Sequence, residues 1–169
     1  PWTIPERYVV SLRIHVADSD RVFSGSGALI GSRCILTAGH NLHNVDLPGK
    51  GWVTRVEVYA GRNGSKCAVM TSSSNFRSLE GWVNGDQTSN DFDIGAIILP
   101  DDRIYNWAQG HFGIDPAGSV DDVKLLGYPW ARGNAEMEGR PYESQGRATT
   151  NGRTLQYLLD SYAGHSGSP

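Results

Sequence analysis

The last six residues of the chain place a serine where it could act as a nucleophile. Residues 164–169 read GHSGSP, with Gly164 and Gly167 on either side of Ser166. An acyl-transfer nucleophile needs a tight turn whose backbone N–H groups converge on one point, and glycine permits such a turn. A Gly/Ser surface loop has the same composition, so this segment needs a base and an acid elsewhere in the chain to support the prediction.

A histidine and an aspartate lie at the ends of two apolar segments. His40 closes residues 36–40 (LTAGH), and Asp93 directly precedes the apolar run at residues 94–99. A serine hydroxyl is a poor nucleophile at neutral pH, and imidazole is the side chain that can take up its proton there. A carboxylate at the mouth of a buried strand is costly unless it is paired. Asp91 competes for the acidic role, but it lies in a polar loop, so we favour Asp93.

The three segments together resemble the trypsin-like, chymotrypsin-fold serine endopeptidases. The resemblance rests on TAGH ending at His40, DIGAI beginning at Asp93 and GHSGSP around Ser166, in the order His, Asp, Ser. GSP after the serine, GAI after the aspartate and GYP at residues 127–129 are most similar to the glutamyl endopeptidase (V8-like) branch. The resemblance covers residues 25–169.

This resemblance implies a role for each residue. Ser166 is the expected nucleophile, His40 the general base and then the general acid, and Asp93 the group that orients the imidazole. The backbone N–H groups of Gly164 and Ser166 are the expected oxyanion hole. The implied protein is a secreted serine endopeptidase that acts on polypeptide substrates through an acyl-enzyme, with no cofactor.

Specificity is implied only by the branch, which suggests cleavage after Glu or Asp. Recognition of the substrate carboxylate in that branch relies on a histidine and its neighbours after the nucleophile, beyond residue 169. The sequence therefore leaves the P1 residue open. The competing hypothesis is a non-catalytic protease homologue that acts as a binding or scaffolding module, against which the intact His40, Asp93 and Ser166 argue.

Two departures from the family pattern shape our expectations. Trypsin and its nearest relatives carry Asp before the nucleophile, where it pairs with the new N-terminal ammonium on activation, whereas this chain has His165. The family also continues beyond the nucleophile through strands that wall the specificity pocket. We therefore expect residues 1–169 alone not to be a competent protease, and the remaining strands to be supplied by a further segment or by a complementary C-terminal fragment.

The elements that must hold these residues are predicted to be strands. With 21 Gly and 8 Pro and no long helical spacing of apolar residues, the chain favours an antiparallel all-β fold. A hairpin is predicted with its turn at Asn63-Gly64, although NGS there is also a glycosylation sequon. The β-type runs are residues 8–16, 27–36, 52–60, 67–71, 94–99, 123–128 and 155–159.

The resemblance makes this fold specific: two antiparallel six-stranded β-barrels of the chymotrypsin type, the second truncated after the nucleophile. Residues 110–119 are rich in glycine and are the best candidate for a linker. The predicted units are residues 1–109, with His40 and Asp93, and residues 110–169, with Ser166.

Composition excludes several partners. The formal net charge is −3 without blocks of like charge, which disfavours nucleic acid and anionic lipid. No apolar stretch approaches the roughly 20 residues that span a bilayer, so no membrane segment is predicted. Cys34 and Cys67 lie in β-type runs that flank the predicted hairpin, and secretion would favour their pairing, so we predict a disulfide between them.

No metal site is predicted. His40 and His43 lie three residues apart and Asp121 and Asp122 are adjacent, but neither pair supplies the convergent ligands of a zinc or calcium site. The four scattered arginines of the second half are interpreted as a solvated surface rather than an anion site. These are Arg132, Arg140, Arg147 and Arg153.

Overall fold

A computed structural model describes residues 3–85, 87–115, 121–130, 138–151 and 154–169. Twelve β-strands and two short α-helices are present in this part of the chain. The strands are β1 (Val9–His15), β2 (Val22–Gly31), β3 (Cys34–Thr37), β4 (His43–Asn44), β5 (Gly51–Trp52), β6 (Arg55–Ala60), β7 (Val69–Ser73), β8 (Phe76–Ser78), β9 (Gly95–Ile98), β10 (Asp122–Gly127), β11 (Tyr142–Asn151) and β12 (Thr154–Tyr157). The helices are α1 (Glu80–Val83) and α2 (Arg103–Ala108), and single 3₁₀ turns occur at Glu6–Tyr8, Gly39–Asn41 and Asn90–Phe92.

The first half of the chain forms an antiparallel sheet that closes on itself. Its strand order is β7-β6-β1-β2-β3-β9-β8. Strands β7 and β8 lie at opposite edges of this order, yet only Ser74 and Asn75 separate them in the sequence. The two edges must therefore meet, and Ser73 Oγ donates to the Ile98 carbonyl of β9 at 2.6 Å. If β7 and β8 are counted as one bent strand, the sheet is a six-stranded barrel.

Buried and exposed residues alternate along the strands, and the buried ones place branched aliphatic side chains inside this barrel. In β6, Val56, Val58 and Ala60 are buried, while the residues between them are more exposed. Since strand residues point alternately to the two faces of a sheet, one face of each strand supplies the core. The core also contains Leu12, Ile14, Leu29, Ile35, Leu42, Ile97, Leu99 and Ile104.

Strands β10, β11 and β12 form a second antiparallel sheet. A small buried cluster joins it to the first barrel: Val9 of β1 packs with Leu126 and Tyr128, and Phe112 covers them. The predicted all-β, chymotrypsin-like fold is confirmed, with the expected pairing of short antiparallel strands. Residues 111–115 are irregular, and residues 116–119 of the predicted linker lie outside the described part.

Several local predictions need adjustment. The run predicted at residues 27–36 is two strands, β2 and β3, joined by a turn at Ser32 and Arg33. The predicted hairpin joins β6 to β7, but its tip is Gly64-Ser65, because Asn63 and Lys66 exchange both backbone hydrogen bonds. Gly64 has φ +64°, which explains the glycine there.

The predicted disulfide is wrong in this structure, where Cys34 and Cys67 are both free. Cys34 begins β3, whereas Cys67 lies in the hairpin between β6 and β7. Strands β1 and β2 lie between β3 and β6 in the sheet, and adjacent strands are about 4.8 Å apart. Cys34 and Cys67 flank the same hairpin in the sequence, but the strand order keeps their thiols apart.

Candidate active site

His40 lies in a tight turn immediately after β3. The strand ends at Thr37, and a 3₁₀ turn over Gly39–Asn41 carries the imidazole out of the sheet. Gly39 is needed here because a Cβ would lie within about 3.1 Å of Trp82, the Asp93 carboxylate and the Ile94 backbone. The small residues before His40 thus allow the segment that carries Asp93 to approach closely.

Asp93 holds His40 at two points. One carboxylate oxygen accepts the His40 backbone N–H at 2.7 Å, and the other contacts His40 Nδ1, also at 2.7 Å. Burial alone would raise the pKa of the Asp93 carboxyl, but the hydrogen bonds from His40 outweigh it and hold that pKa below its ordinary value. The carboxylate is therefore ionised at neutral pH, which fixes the Nδ1 proton on His40 and leaves Nε2 as the basic nitrogen.

The alternative acid does not reach His40. Asp91 is exposed in the 3₁₀ turn that precedes Asp93. Asp93 follows this turn, and Gly95 two residues later begins β9, which pairs with β3. The pairing of these two strands brings Asp93 beside the turn that follows β3.

Two glycines with positive φ shape the turn around Ser166. Gly164 has φ +94° and Gly167 has φ +82°, a region that other residues rarely adopt. A Cβ at Gly164 would lie 2.7 Å from the Tyr128 carbonyl oxygen, and one at Gly167 would lie 2.8 Å from the Ala38 nitrogen. The turn of residues 162–167, called the serine turn below, thus packs closely between the end of β10 and the segment that leads to His40.

A buried polar network ties the serine turn to the His40 segment. The Ser166 carbonyl accepts hydrogen bonds from the Ser26 backbone N–H and from Asn41 Nδ2, both at 2.9 Å. Asn41 Nδ2 also donates to Thr37 Oγ1, and that hydroxyl donates to the Ser26 carbonyl. Since Asn41 follows His40 directly in the chain, its hydrogen bond links the His40 segment to the turn around Ser166.

Ser26 is the centre of this network. Its hydroxyl donates to the Gly164 carbonyl at 2.7 Å and accepts the Tyr128 backbone N–H at 2.8 Å, and the residue is fully buried. One side chain on β2 therefore connects the serine turn with the end of β10. Sequence reasoning missed Ser26 and Asn41 because their partners at residues 128, 164 and 166 lie more than 100 residues along the chain, and it missed Thr37 because that residue acts through these two.

The remaining candidate residues that the structure describes do not converge on this site. His43 is buried with Nδ1 near Gln87 Nε2 at 2.7 Å, and burial lowers the pKa of its imidazole. Asp121 and Asp122 are exposed at the start of β10, and Arg140 and Arg147 are exposed. Arg132 and Arg153 lie outside the described residues. Within the described ranges, no group of three or more His, Cys, Asp or Glu side chains could hold a metal ion.

In sequence, the chain is similar to two curated bacterial proteases. It is 29% identical over 177 aligned positions to a protein of Bacillus subtilis named extracellular metalloprotease, covering 99% of this chain and 52% of that protein. It is 30% identical over 161 positions to a glutamyl endopeptidase of Bacillus licheniformis, covering 92% of this chain and 47% of that protein. The chain thus spans about half the length of the curated relatives it matches. No protein-family model matches it.

In structure, it superposes on solved proteases of the same architecture. A Glu endopeptidase matches with a TM-score of 0.82 and 23% identity, covering 98% of this chain and 74% of that one. A thermostable serine protease from an extremophilic microorganism matches with a TM-score of 0.80 and 15% identity, covering 97% and 77%. The chain therefore has the fold of the trypsin-like serine proteases, and in sequence it is similar to a glutamyl endopeptidase.

Proposed function

We propose that this chain carries the catalytic residues of a serine endopeptidase. The observation that carries the proposal is the double contact of Asp93 with His40, in a segment that Asn41 ties to the Ser166 turn. A histidine whose Nδ1 is held by an ionised carboxylate keeps Nε2 free to accept a proton. The assignment is supported by the order His40, Asp93, Ser166, which is that of the trypsin-like proteases, and by the contact between Asp93 and His40.

In the proposed reaction, the Ser166 hydroxyl oxygen attacks the carbonyl carbon of a peptide bond while His40 Nε2 accepts the hydroxyl proton. The tetrahedral intermediate collapses when His40 donates that proton to the leaving amine nitrogen, and the Ser166 ester remains. Water then attacks the ester with His40 again as the base, which releases the acid and regenerates Ser166. Asp93 stays ionised throughout and stabilises the imidazolium.

The backbone N–H groups of Gly164 and Ser166 are proposed to bind the oxyanion. Neither donates to a backbone carbonyl within the described part of the chain. The left-handed conformation of Gly164 is the kind of backbone geometry that turns neighbouring N–H groups toward one point. Losing one such donor typically costs about 3–4 kcal/mol of transition-state stabilisation.

Substrate class and location follow from the relatives. The matched proteases act on polypeptides, one is named for glutamyl cleavage and the other is named extracellular. We therefore propose polypeptide substrates, cleavage after acidic residues and an extracellular location. No described helix is long and apolar enough to cross a membrane. The metalloprotease name is not carried over, because the described side chains offer no ligand set for a metal.

A serine-directed fluorophosphonate tests the proposal. It should label the full-length wild-type protein stoichiometrically on Ser166, and Ser166→Ala should abolish the labelling. Ser161→Ala, at an exposed serine nearby, is the matched control and should label like the wild type. A folded wild-type protein that does not label would favour the non-catalytic scaffolding alternative. Peptides with Glu, Asp, Ala or Lys before the cleaved bond then report the P1 preference.

A further inference from the structure

The residue before Ser166 is a buried histidine that makes two hydrogen bonds within the serine turn. His165 is only 8% exposed. Its backbone N–H donates to the Tyr162 carbonyl at 3.1 Å, and in return the Tyr162 backbone N–H donates to His165 Nδ1 at 3.2 Å. This reciprocal pair encloses Ala163 and Gly164 and ends at the residue that precedes the nucleophile.

The hydrogen bond to Nδ1 determines the protonation state of the ring. A nitrogen that accepts an N–H cannot itself carry a proton, so the neutral imidazole carries its proton on Nε2. Nε2 is fully buried and has no hydrogen-bond partner among the described residues. An imidazolium in this position would lose the Tyr162 hydrogen bond and bury an unpaired charge.

The groups recorded around His165 in the described part of the chain are uncharged. The ring lies against Gly127 at the end of β10, where a Cβ would be 2.9 Å from His165 Cδ2 and also 2.9 Å from Ser26 Oγ. The Ser168 hydroxyl reaches the same point, and the Tyr162 ring packs on the His165 ring, with ring centroids 6.5 Å apart. Burial is the sole cause that lowers the pKa of His165.

We propose that His165 is a positioning residue, whose neutral, Nε2-protonated imidazole fastens the turn of residues 162–166 and so sets the position of Ser166 and of the Gly164 and Ser166 N–H groups. This inference rests on the proposed function and extends it. The side chain touches neither substrate nor reacting atoms and acts only through the turn. It occupies the position where trypsin-like enzymes use an aspartate that pairs with an ammonium, but here a neutral ring makes a local backbone contact.

Acidification should therefore inactivate the enzyme through the serine turn as well, because protonation of His165 releases that turn. Because burial holds the pKa of His165 below its ordinary value, this effect appears on the acid side of that value. The acid limb of log(kcat/KM) against pH should then be steeper in wild type than in a variant whose side chain at position 165 does not titrate.

Two substitutions separate positioning from a general structural role. In His165→Asn, Oδ1 stands at the same number of bonds from Cα as Nδ1 and can accept the Tyr162 N–H without titrating. In His165→Leu, the acceptor is lost while an apolar side chain still fills the site. Because small displacements of a reacting group can cost about 100-fold, we expect Leu to lower kcat about 10- to 100-fold with KM changed less than about twofold.

The full-length protein is assayed for peptide hydrolysis, for the rate of fluorophosphonate labelling and for thermal unfolding. His165→Asn should retain kcat within about threefold of wild type and should show a shallower acid limb than wild type. Full labelling and kcat in a folded His165→Leu variant would overturn the proposal. So would an Asn variant no better than the Leu variant, or one with the same acid-limb slope as wild type.

A measurement without catalysis keeps this inference separate from the proposed function. In the Ser166→Ala variant, long-range ¹H–¹⁵N correlations of the imidazole should show His165 protonated on Nε2 and unprotonated on Nδ1 at neutral pH. A doubly protonated or Nδ1-protonated ring would contradict the positioning role even if the protein is a protease. Absence of serine labelling with the expected tautomer would instead reject only the catalytic function.

Discussion

At the scale of single residues, the pairing of Asp93 with His40 determines which nitrogen of the imidazole can act as a base. Replacing Asp93 with Asn should lower kcat by about 10⁴-fold with little change in KM, because an amide no longer fixes the productive tautomer. Asp91→Asn, at an exposed carboxylate two residues away, is the matched control and should leave both parameters near wild type. Equal losses in the two variants would contradict the assignment of Asp93.

The same carboxylate should make stability depend on acid pH. The folded-state pKa of Asp93 lies below its ordinary value of 3.8, so the folded protein binds this proton less readily than the unfolded chain. Its contribution to the free energy of unfolding is complete above about pH 4 and disappears as pH falls through the folded-state value. Urea unfolding between pH 2.5 and 7 should show a shallower decline in Asp93→Asn than in wild type.

Parallel curves for the two proteins would show that the Asp93 contact stabilises nothing in this range. Glu57, whose pKa is also lowered, contributes in the same direction in both proteins. The difference between the curves therefore isolates Asp93.

The candidate catalytic residues could be proposed from the sequence because the types and order of such residues are restricted. Asp93 was preferable to Asp91 from sequence because it abuts an apolar run, and strand pairing accounts for its contact with His40. The residues that hold them could not be found in the same way. Ser26, Thr37 and Asn41 act through contacts with partners far along the chain, such as the Gly164 carbonyl, and no local pattern encodes such contacts.

At the scale of elements, Ser26 makes β2 the support of the serine turn. Ser26→Ala removes the donor to Gly164 and the acceptor of the Tyr128 N–H, and it leaves both backbone groups buried without that partner. Each unsatisfied buried group costs about 1–3 kcal/mol, so the variant should be destabilised by a few kcal/mol and its Ser166 labelled more slowly. Ser24→Ala, at an exposed serine two residues earlier on the same strand, is the control.

Urea unfolding and labelling rates check this prediction together. Wild-type labelling in Ser26→Ala would mean that the remaining bonds of the Ser166 carbonyl suffice to hold the turn. A loss of the same size in Ser24→Ala would indicate a general effect of truncating serines on β2.

The elements themselves were predictable where their pattern was strong. The apolar alternation of β6 and the NG signal located a hairpin, although its tip lies one residue later than predicted. Strand β11 was missed because its sequence, YESQGRATTN, is almost entirely polar. Its existence depends on pairing with β10 and β12, which a local reading of hydrophobicity does not detect. The Cys34–Cys67 pairing failed for a related reason, since nearness to one hairpin does not specify strand order.

At the scale of the whole molecule, the proposed chemistry depends on how the second sheet is held against the first barrel. His40 and Asp93 belong to the barrel, whereas Ser166 follows β10–β12 and is fixed partly by the end of β10. The buried apolar cluster that joins the two sheets is small, with Val9 on one side and Leu126 and Tyr128 on the other. Leu126 also donates its backbone N–H to the Pro169 carbonyl, three residues beyond the serine.

Leu126→Ala should therefore weaken stability and nucleophile activation together. Truncating a buried leucine costs about 2–5 kcal/mol, which corresponds to a decrease in Tm of roughly 5–15 °C for a chain of this size. Because the cavity opens between the sheet that carries the serine turn and the barrel that carries the base, Ser166 labelling should slow even well below Tm. Leu155→Ala, at a half-exposed leucine of β12, is the control and should change both quantities little. A Leu126→Ala protein with a lowered Tm but an unchanged labelling rate would show that the polar network around Ser26 aligns the two halves without help from the apolar cluster.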